Sequence, residues 1–257
     1  MPKGAALITG ASSGIGAELA KLCAAGGYGV ILVARRVDRL GKLADNLAKA
    51  HGIQARALAA DLADPAAPQS IFERTRTDTV EILINNAGIG LRGPFAETDW
   101  QAEARLLQVN VTALLHLTRL FLPEMLARRS GRILNVASTA AFVPGPLMAM
   151  YYASKAFVRS FSESVANEVA GTGVTVTLLC PGPTRTEFFE AAGIADSNLL
   201  KGSSMGAEEV ARIGYRAMMA GKTEAIAGAR NRWMMLGTRI APRSMLAAFT
   251  RRLNSSV

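Results

Sequence analysis

Seven short apolar runs recur along the chain, at 5–9, 29–34, 55–60, 82–85, 132–137, 174–180 and, more weakly, 223–227. They are apolar at most positions rather than at alternate ones. A strand buried on both faces needs that pattern, and such strands belong to parallel sheets covered by helices. Between the runs lie longer amphipathic stretches at 14–25, 37–50, 100–127 and 151–170, each long enough for a helix. Strand and helix in alternation, joined by right-handed crossovers, predict an α/β architecture. The expected form is a doubly wound parallel sheet of about seven strands with helices on both faces. A chain of 257 residues suits one such domain, and no repeat or low-complexity linker divides 1–257.

The formal charge is +9, but it is unevenly placed. Residues 228–257 carry Arg230, Arg232, Arg239, Arg243, Arg251 and Arg252 and no acid, whereas 1–227 hold 23 basic against 20 acidic residues. The basic pI is therefore largely a property of the tail, which argues against a nucleic-acid partner for the body. Two cysteines, Cys23 and Cys180, and two isolated histidines, His51 and His116, build no disulfide framework and no metal site. The apolar run at 5–9 is too short for a signal peptide. The longest uncharged run, 133–154, is crossed by Asn135, Pro144, Gly145 and Pro146 and makes a poor membrane span. These features predict a soluble, cytoplasmic protein.

The first apolar run ends in Thr9-Gly10-Ala11-Ser12-Ser13-Gly14-Ile15-Gly16, and a helical pattern follows at once. Glycines at such a junction let the backbone approach a pyrophosphate, and the helix N-terminus offers free N–H groups and a positive dipole end. Gly10, Ser12, Ser13, Gly14, Ile15 and Gly16 are therefore expected to cradle a dinucleotide. The end of the second run says which one. An NAD site would place an acid there for the ribose 2′-OH, yet the chain reads Val33-Ala34-Arg35-Arg36. Arg35 and Arg36 suit a 2′-phosphate through charge-assisted hydrogen bonds, so NADP(H) is expected over NAD(H). Asp38 lies further on, where it suits the dipole of a helix start.

Tyr151 and Lys155 stand four apart on a predicted helix, so their side chains share a face. A nearby ammonium favours the phenolate and should lower the tyrosine pKa toward useful values. Tyr152 competes for the role but lies at a different angle from Lys155.

Taken in order, Thr9 to Gly16, Asp61-Leu62, Asn85-Asn86-Ala87-Gly88, Asn110, Ser138, Tyr151 to Lys155, and Pro181-Gly182 resemble the short-chain dehydrogenase/reductase family of single-domain, Rossmann-like enzymes. The resemblance runs from Ala5 to about Thr186. The thirteen-residue step from Ser138 to Tyr151 also matches and favours Tyr151 over Tyr152. The resemblance implies that Tyr151 is the acid/base, that Ser138 polarises the substrate oxygen, with Thr139 a rival hydroxyl, and that Lys155 lowers the Tyr151 pKa and holds the nicotinamide ribose. It implies that Asn110 holds a water relaying protons to Lys155. It places Asp61 and Leu62 at the adenine, and Asn86, Ala87 and Gly88 against the cofactor at the fourth strand. Pro181 and Gly182 fall beside the nicotinamide, with Thr184 and Thr186 in further contact. The family's basic residue before the second glycine of the turn is replaced by Ser13, so NADP preference rests mainly on Arg35.

The implied activity is NADP(H)-dependent interconversion of a carbonyl and an alcohol. A catalytically silent cofactor-binding regulator and an epimerase or dehydratase on the same scaffold are the alternatives. Segments 90–95, 140–150 and 188–204 should wall a mostly apolar pocket for a small hydrophobic substrate, with 187–205 as a lid. The tail mixes Trp233, Met234, Met235, Leu236, Ile240, Leu246 and Phe249 with its arginines. It could lie on an anionic membrane, although Pro242 breaks any single long helix. Packing on the body, lining the pocket or joining a subunit interface is favoured over that. A homo-oligomer is expected from the resemblance.

Overall fold

The computed structural model describes residues 3–194, 196–198 and 204–255. The chain runs β1 (Ala5–Thr9), α1 (Gly14–Ala25), β2 (Gly29–Ala34), α2 (Val37–His51), β3 (Ala55–Ala59), α3 (Ala67–Arg74), β4 (Val80–Asn85), α4 (Trp100–Leu107), α5 (Ala113–Ala127) and β5 (Gly131–Val136). It continues through α6 (Ala149–Glu168), β6 (Val174–Cys180), β7 (Thr184–Arg185), α7 (Phe188–Ala191), β8 (Met205–Gly206), α8 (Ala207–Met219), β9 (Glu224–Ile226), α9 (Ala229–Gly237) and α10 (Arg243–Asn254).

Seven strands form one sheet in the order β3-β2-β1-β4-β5-β6-β9, and every pairing in it is parallel. Successive side chains on a strand point to opposite faces, and the sequence supplies apolar residues to both. Ile8, Leu32, Ile84 and Leu179 pack with Leu19, Cys23, Leu40 and Met218 under α1, α2 and α8. Leu7, Ile31, Leu83 and Val176 pack with Ile71, Leu117, Phe121 and Val165 under α3, α5 and α6. The predicted doubly wound single domain is the observed one.

The stretch Trp100–Ala127 is long and apolar enough to cross a membrane by composition. In the fold its apolar stripe, Leu106, Ala113, Leu117, Phe121 and Met125, is buried. It is not one regular helix. A π-helical turn at Gln108–Thr112 separates α4 from α5. Such bulges commonly mark functional positions, and here the bulge carries Asn110 inward to 1% exposure.

The tail forms two helices broken at Pro242. Their inner sides pack on the body: Thr250 Oγ1 donates to Pro144 O (2.6 Å) and Asn254 Nδ2 to Pro146 O (2.9 Å). The tail thus braces the segment between Ser138 and Tyr151. Trp233, Ile240, Met245 and Phe249 face outward.

The strand order reverses at β1, which has β2 on one side and β4 on the other. In open α/β sheets, ligands bind at the carboxyl ends of the strands at this switch point.

Candidate active site

The turn after β1 shows why its residues are glycine. Gly10 and Gly14 have φ of +67° and +56°, a region that favours glycine. A Cβ on Gly16 would strike the Gly10 carbonyl and lie 2.5 Å from Asn86 Nδ2. The turn is stapled from β4: Asn86 Nδ2 donates to Thr9 O (2.9 Å) and Gly10 O (3.2 Å), and Thr9 Oγ1 accepts from the N–H groups of Asn86 and Ala87. The Asn86 side chain therefore shapes the turn. Gly16 acts in the same way, through packing, and lies outside the cleft wall.

A cleft of about 430 Å³ runs from this turn across the strand ends. Its lining includes the predicted Gly10, Ser12, Ser13, Gly14, Ile15, Arg35, Arg36, Asp61, Leu62, Asn86, Ala87, Gly88, Ser138, Tyr151, Lys155, Pro181, Gly182, Thr184 and Thr186. The chain thus brings residues from six strand ends to one surface. A Cβ on Gly88 would sit 3.3 Å from Lys155 Nζ and 3.4 Å from Asn110 Oδ1, so the backbone passes close to both side chains there.

Asn110 lies behind the cleft wall. Its Oδ1 accepts from Ile89 N (2.9 Å), and its Nδ2 donates to Ile89 O (2.9 Å) and Ser154 Oγ (3.1 Å). Its side chain is committed to holding the loop after β4 against α6. Oδ1 keeps a second lone pair for the predicted water, beside this positioning role.

Ser138 caps the 3₁₀ turn Thr139–Phe142 by accepting from Ala140 N (3.1 Å). Both Ser138 and its rival Thr139 reach the cleft. Tyr151 and Lys155 lie on one face of α6, with the ammonium 5.8 Å from the tyrosine ring centroid. Lys155 is 5% exposed, and Nζ donates to Val136 O (3.0 Å). Tyr152 is turned away to the tail, and its hydroxyl donates to Asn254 Oδ1 (3.0 Å). Both rings line the cleft, but the Tyr152 hydroxyl is committed to Asn254.

The electrostatics differ from the expected pattern. Burial pushes the Tyr151 phenol well above its ordinary range, offset in part by the Ser138 hydroxyl. Burial also brings Lys155 down to about 8. Desolvation penalises the charged form of each and outweighs the help the ammonium was expected to give the phenolate.

At the other end of the cleft, Asp61 is ion-paired to Arg105 of α4 (2.8 Å), a pairing that no local motif marks. Arg36 donates from Nη2 to Ser12 Oγ (3.0 Å) and Ser13 Oγ (2.9 Å). Arg36 and Arg39 both hold Glu187, each at 2.6 Å. These pairs keep the Glu187 carboxyl down at about 2. Arg35 is exposed at the mouth and makes no side-chain hydrogen bond among the described residues, so the engaged arginine is Arg36. Arg39, Arg105, Glu187 and Asn254 were not signalled by the sequence, because each acts through a partner far along the chain.

The substrate side is apolar. Ala140, Met148, Tyr152, Ala192 and Ile194 pack together with Val143, Tyr151, Phe188 and Phe189. Phe188 lies against Tyr151 at 5.5 Å between ring centroids. The three predicted wall segments meet here: Gly93 N donates to Leu147 O (2.8 Å), and Arg92 pairs with Asp196 (2.8 Å). Of the predicted lid, 195 and 199–203 fall outside the described residues.

The Rossmann-like sheet and the cleft over its switch point are those of the NAD(P)-binding fold. The chain belongs to the short chain dehydrogenase family, whose model matches residues 4–196. It is 40% identical over 182 residues to the very-long-chain 3-oxoacyl-CoA reductase of Phaeosphaeria nodorum, a match covering 68% of this chain and 53% of the relative. The match therefore spans about half of that relative's length. Among solved structures, the short-chain dehydrogenase from Sphingobium yanoikuyae in complex with NADPH is 35% identical with a TM-score of 0.84, covering 92% of this chain and 93% of that one. The short chain dehydrogenase/reductase from Burkholderia phymatum in complex with NAD is 25% identical with a TM-score of 0.83, covering 99% and 97%.

Proposed function

We propose that the protein is an NADP(H)-dependent oxidoreductase that interconverts a carbonyl and an alcohol on a bulky hydrophobic substrate. One observation carries this reading. The cleft joins an arginine-bearing mouth at the phosphate turn to a Ser138–Tyr151–Lys155 set lined on the far side by apolar side chains. The glycine cradle at Gly10 and Gly88 and the free N–H groups at the start of α1 fit a dinucleotide. The nicotinamide ring, when bound, gives up or accepts the hydride.

The remaining chemistry belongs to the chain. Tyr151 donates its proton to the developing alkoxide during reduction, and its raised pKa keeps that proton available at neutral pH. Ser138 donates a hydrogen bond to the same oxygen, stabilising the charge that forms on it. Lys155, anchored on Val136 O, places a cation beside the phenolate left behind. Asn110 positions the loop after β4 against α6. The wall of Phe188, Phe189, Met148 and Ile194 excludes water and favours large apolar groups.

The test is spectrophotometric NADPH oxidation over a carbonyl panel. Long-chain 3-oxoacyl thioesters and bulky ring ketones should exceed short, charged keto acids in kcat/KM by at least about tenfold, since each tenfold needs only about 1.4 kcal/mol of buried apolar surface. Highest activity on the keto acids would overturn the hydrophobic pocket.

Cofactor choice is tested at β2. Arg36→Ala and Arg35→Ala are each expected to weaken NADPH far more than NADH, with Arg36 the larger loss because it also holds the turn hydroxyls. Equal losses for the two cofactors would remove the 2′-phosphate role.

The pH profile tests Lys155. Its charge is lost as pH rises through about 8, so kcat/KM for reduction should fall across that range, where the free enzyme's groups are read. In Lys155→Arg the charge persists, and the descending limb should leave this range even if the rate is lower. A limb unchanged in that variant would assign it to another group.

A further inference from the structure

The strongest unexplained feature is a carboxylate lodged where the cofactor's own anion is expected. β2 ends at Ala34, and in this fold the residues just beyond that point meet the adenosine ribose. Arg36 is the N-cap residue of α2 and Arg39 lies in its first turn, and both guanidinium groups reach the same carboxylate. Between them sits Glu187, with Oε2 on Arg36 Nη1 and Oε1 on Arg39 Nη1, both at 2.6 Å. The second Arg36 nitrogen is fixed on the Ser12 and Ser13 hydroxyls of the phosphate turn. Two guanidinium groups thus hold one carboxylate at the mouth of the cleft, and one of them is braced on two hydroxyls of the phosphate turn.

The occupant comes from far along the chain. Glu187 follows Thr186, whose Cγ2 lies 2.9 Å from where a Gly14 Cβ would be. It precedes Phe188, whose ring lies against Tyr151. The same short segment therefore touches the phosphate turn, the arginine pair and the catalytic tyrosine.

We propose that Arg36 and Arg39 form the 2′-phosphate site, that Glu187 is its built-in occupant, and that NADP(H) binds by exchanging its phosphate for this carboxylate. The proposal rests on the NADP(H) reading above and adds Arg39 and Glu187 to it. The exchange is favourable for physical reasons. A phosphate monoester carries about −1.5 to −2 charges on three acceptor oxygens, against one charge on two for Glu187. The existing pairs are about half exposed, at 43–51% for the side chains involved, and exposed pairs are weak. NADH has no phosphate to offer, so Glu187 stays on its arginines.

The experiment measures binding of NADPH, NADH, 2′-AMP and 5′-AMP by calorimetry to the wild type, Glu187→Gln, and Glu187→Gln with Arg39→Gln. Glu187 is exposed enough that its replacement should leave the fold intact, which circular dichroism verifies. Removing the internal competitor should tighten 2′-AMP and NADPH by about three- to tenfold and leave 5′-AMP and NADH within about twofold. Adding Arg39→Gln should then weaken 2′-AMP by about tenfold, again sparing 5′-AMP. Unchanged or weaker NADPH binding in Glu187→Gln overturns the competition, as does equal tightening of both cofactors. If the wild type prefers NADPH and Glu187→Gln changes nothing, only the exchange fails. If neither protein distinguishes NADPH from NADH, the NADP(H) reading fails with it.

Discussion

Replacing Tyr151 by Phe removes one oxygen and is expected to lower carbonyl reduction by about 10²–10⁴-fold, the usual contribution of a positioned general acid. NADPH affinity should change little. The ring stays wedged against Phe188 and Tyr152, so the loss isolates the hydroxyl. The same substitution one residue on is the control. Tyr152→Phe removes a buried hydrogen bond to Asn254 and should cost about 1 kcal/mol of stability while leaving the rate within a few-fold. Steady-state kinetics and thermal unfolding on the two variants separate catalysis from packing. A Tyr151→Phe enzyme of undiminished rate, or a Tyr152→Phe enzyme as impaired, would overturn the assignment.

Gly16→Ala should be strongly damaging at the phosphate turn. The added Cβ would strike the Gly10 carbonyl and the Asn86 amide. Neither can give way: Gly10 is held in a left-handed conformation, and Asn86 is bonded to Thr9 O and Gly10 O. Overpacking of this kind costs about 1–3 kcal/mol, and breaking the Asn86 staple adds about 1 kcal/mol for each bond lost. A Tm reduction of roughly 5–10 °C is expected for a chain of this size, with cofactor affinity down more than tenfold. Gly41→Ala gives the opposite sign. Gly41 lies within α2 with nothing within 4 Å of its Cβ position, so the alanine should stabilise by about 0.5–1 kcal/mol through helix propensity. Differential scanning calorimetry on both variants checks the pair. An unchanged or raised Tm for Gly16→Ala would show that the turn tolerates a side chain at position 16.

The legible part of the site was the part that local chemistry writes. The glycines of the turn follow from close approach and positive φ, and the Tyr151–Lys155 spacing follows from helix geometry. Asn110 was legible as a position, but its burial was not, because the π-helical turn that carries it inward cannot be read from the periodicity of 100–127. Tyr151 and Tyr152 were separated in sequence by their angle to Lys155 and by a family-like step from Ser138. In the structure they are separated by a helix more than a hundred residues away, whose Asn254 takes the Tyr152 hydroxyl. The expected lowering of the Tyr151 pKa failed for a related reason: proximity to Lys155 is visible in the spacing, but the desolvation of both groups depends on everything packed around them.

The sequence by itself determined the sheet, its parallel strands, the single domain and the glycine turn, because apolar runs and glycine spacing act over a few residues and leave few topologies open. Only the tertiary structure decided which charges meet. Arg36 and Arg39 stand on Glu187, Arg105 on Asp61, and the arginine-rich tail braces the wall beside Ser138 and Tyr151 through Thr250 and Asn254. Ion pairs and capping bonds of this kind carry no local periodicity. They form between segments that the fold brings together, and so they become readable only once the strands have set those segments side by side.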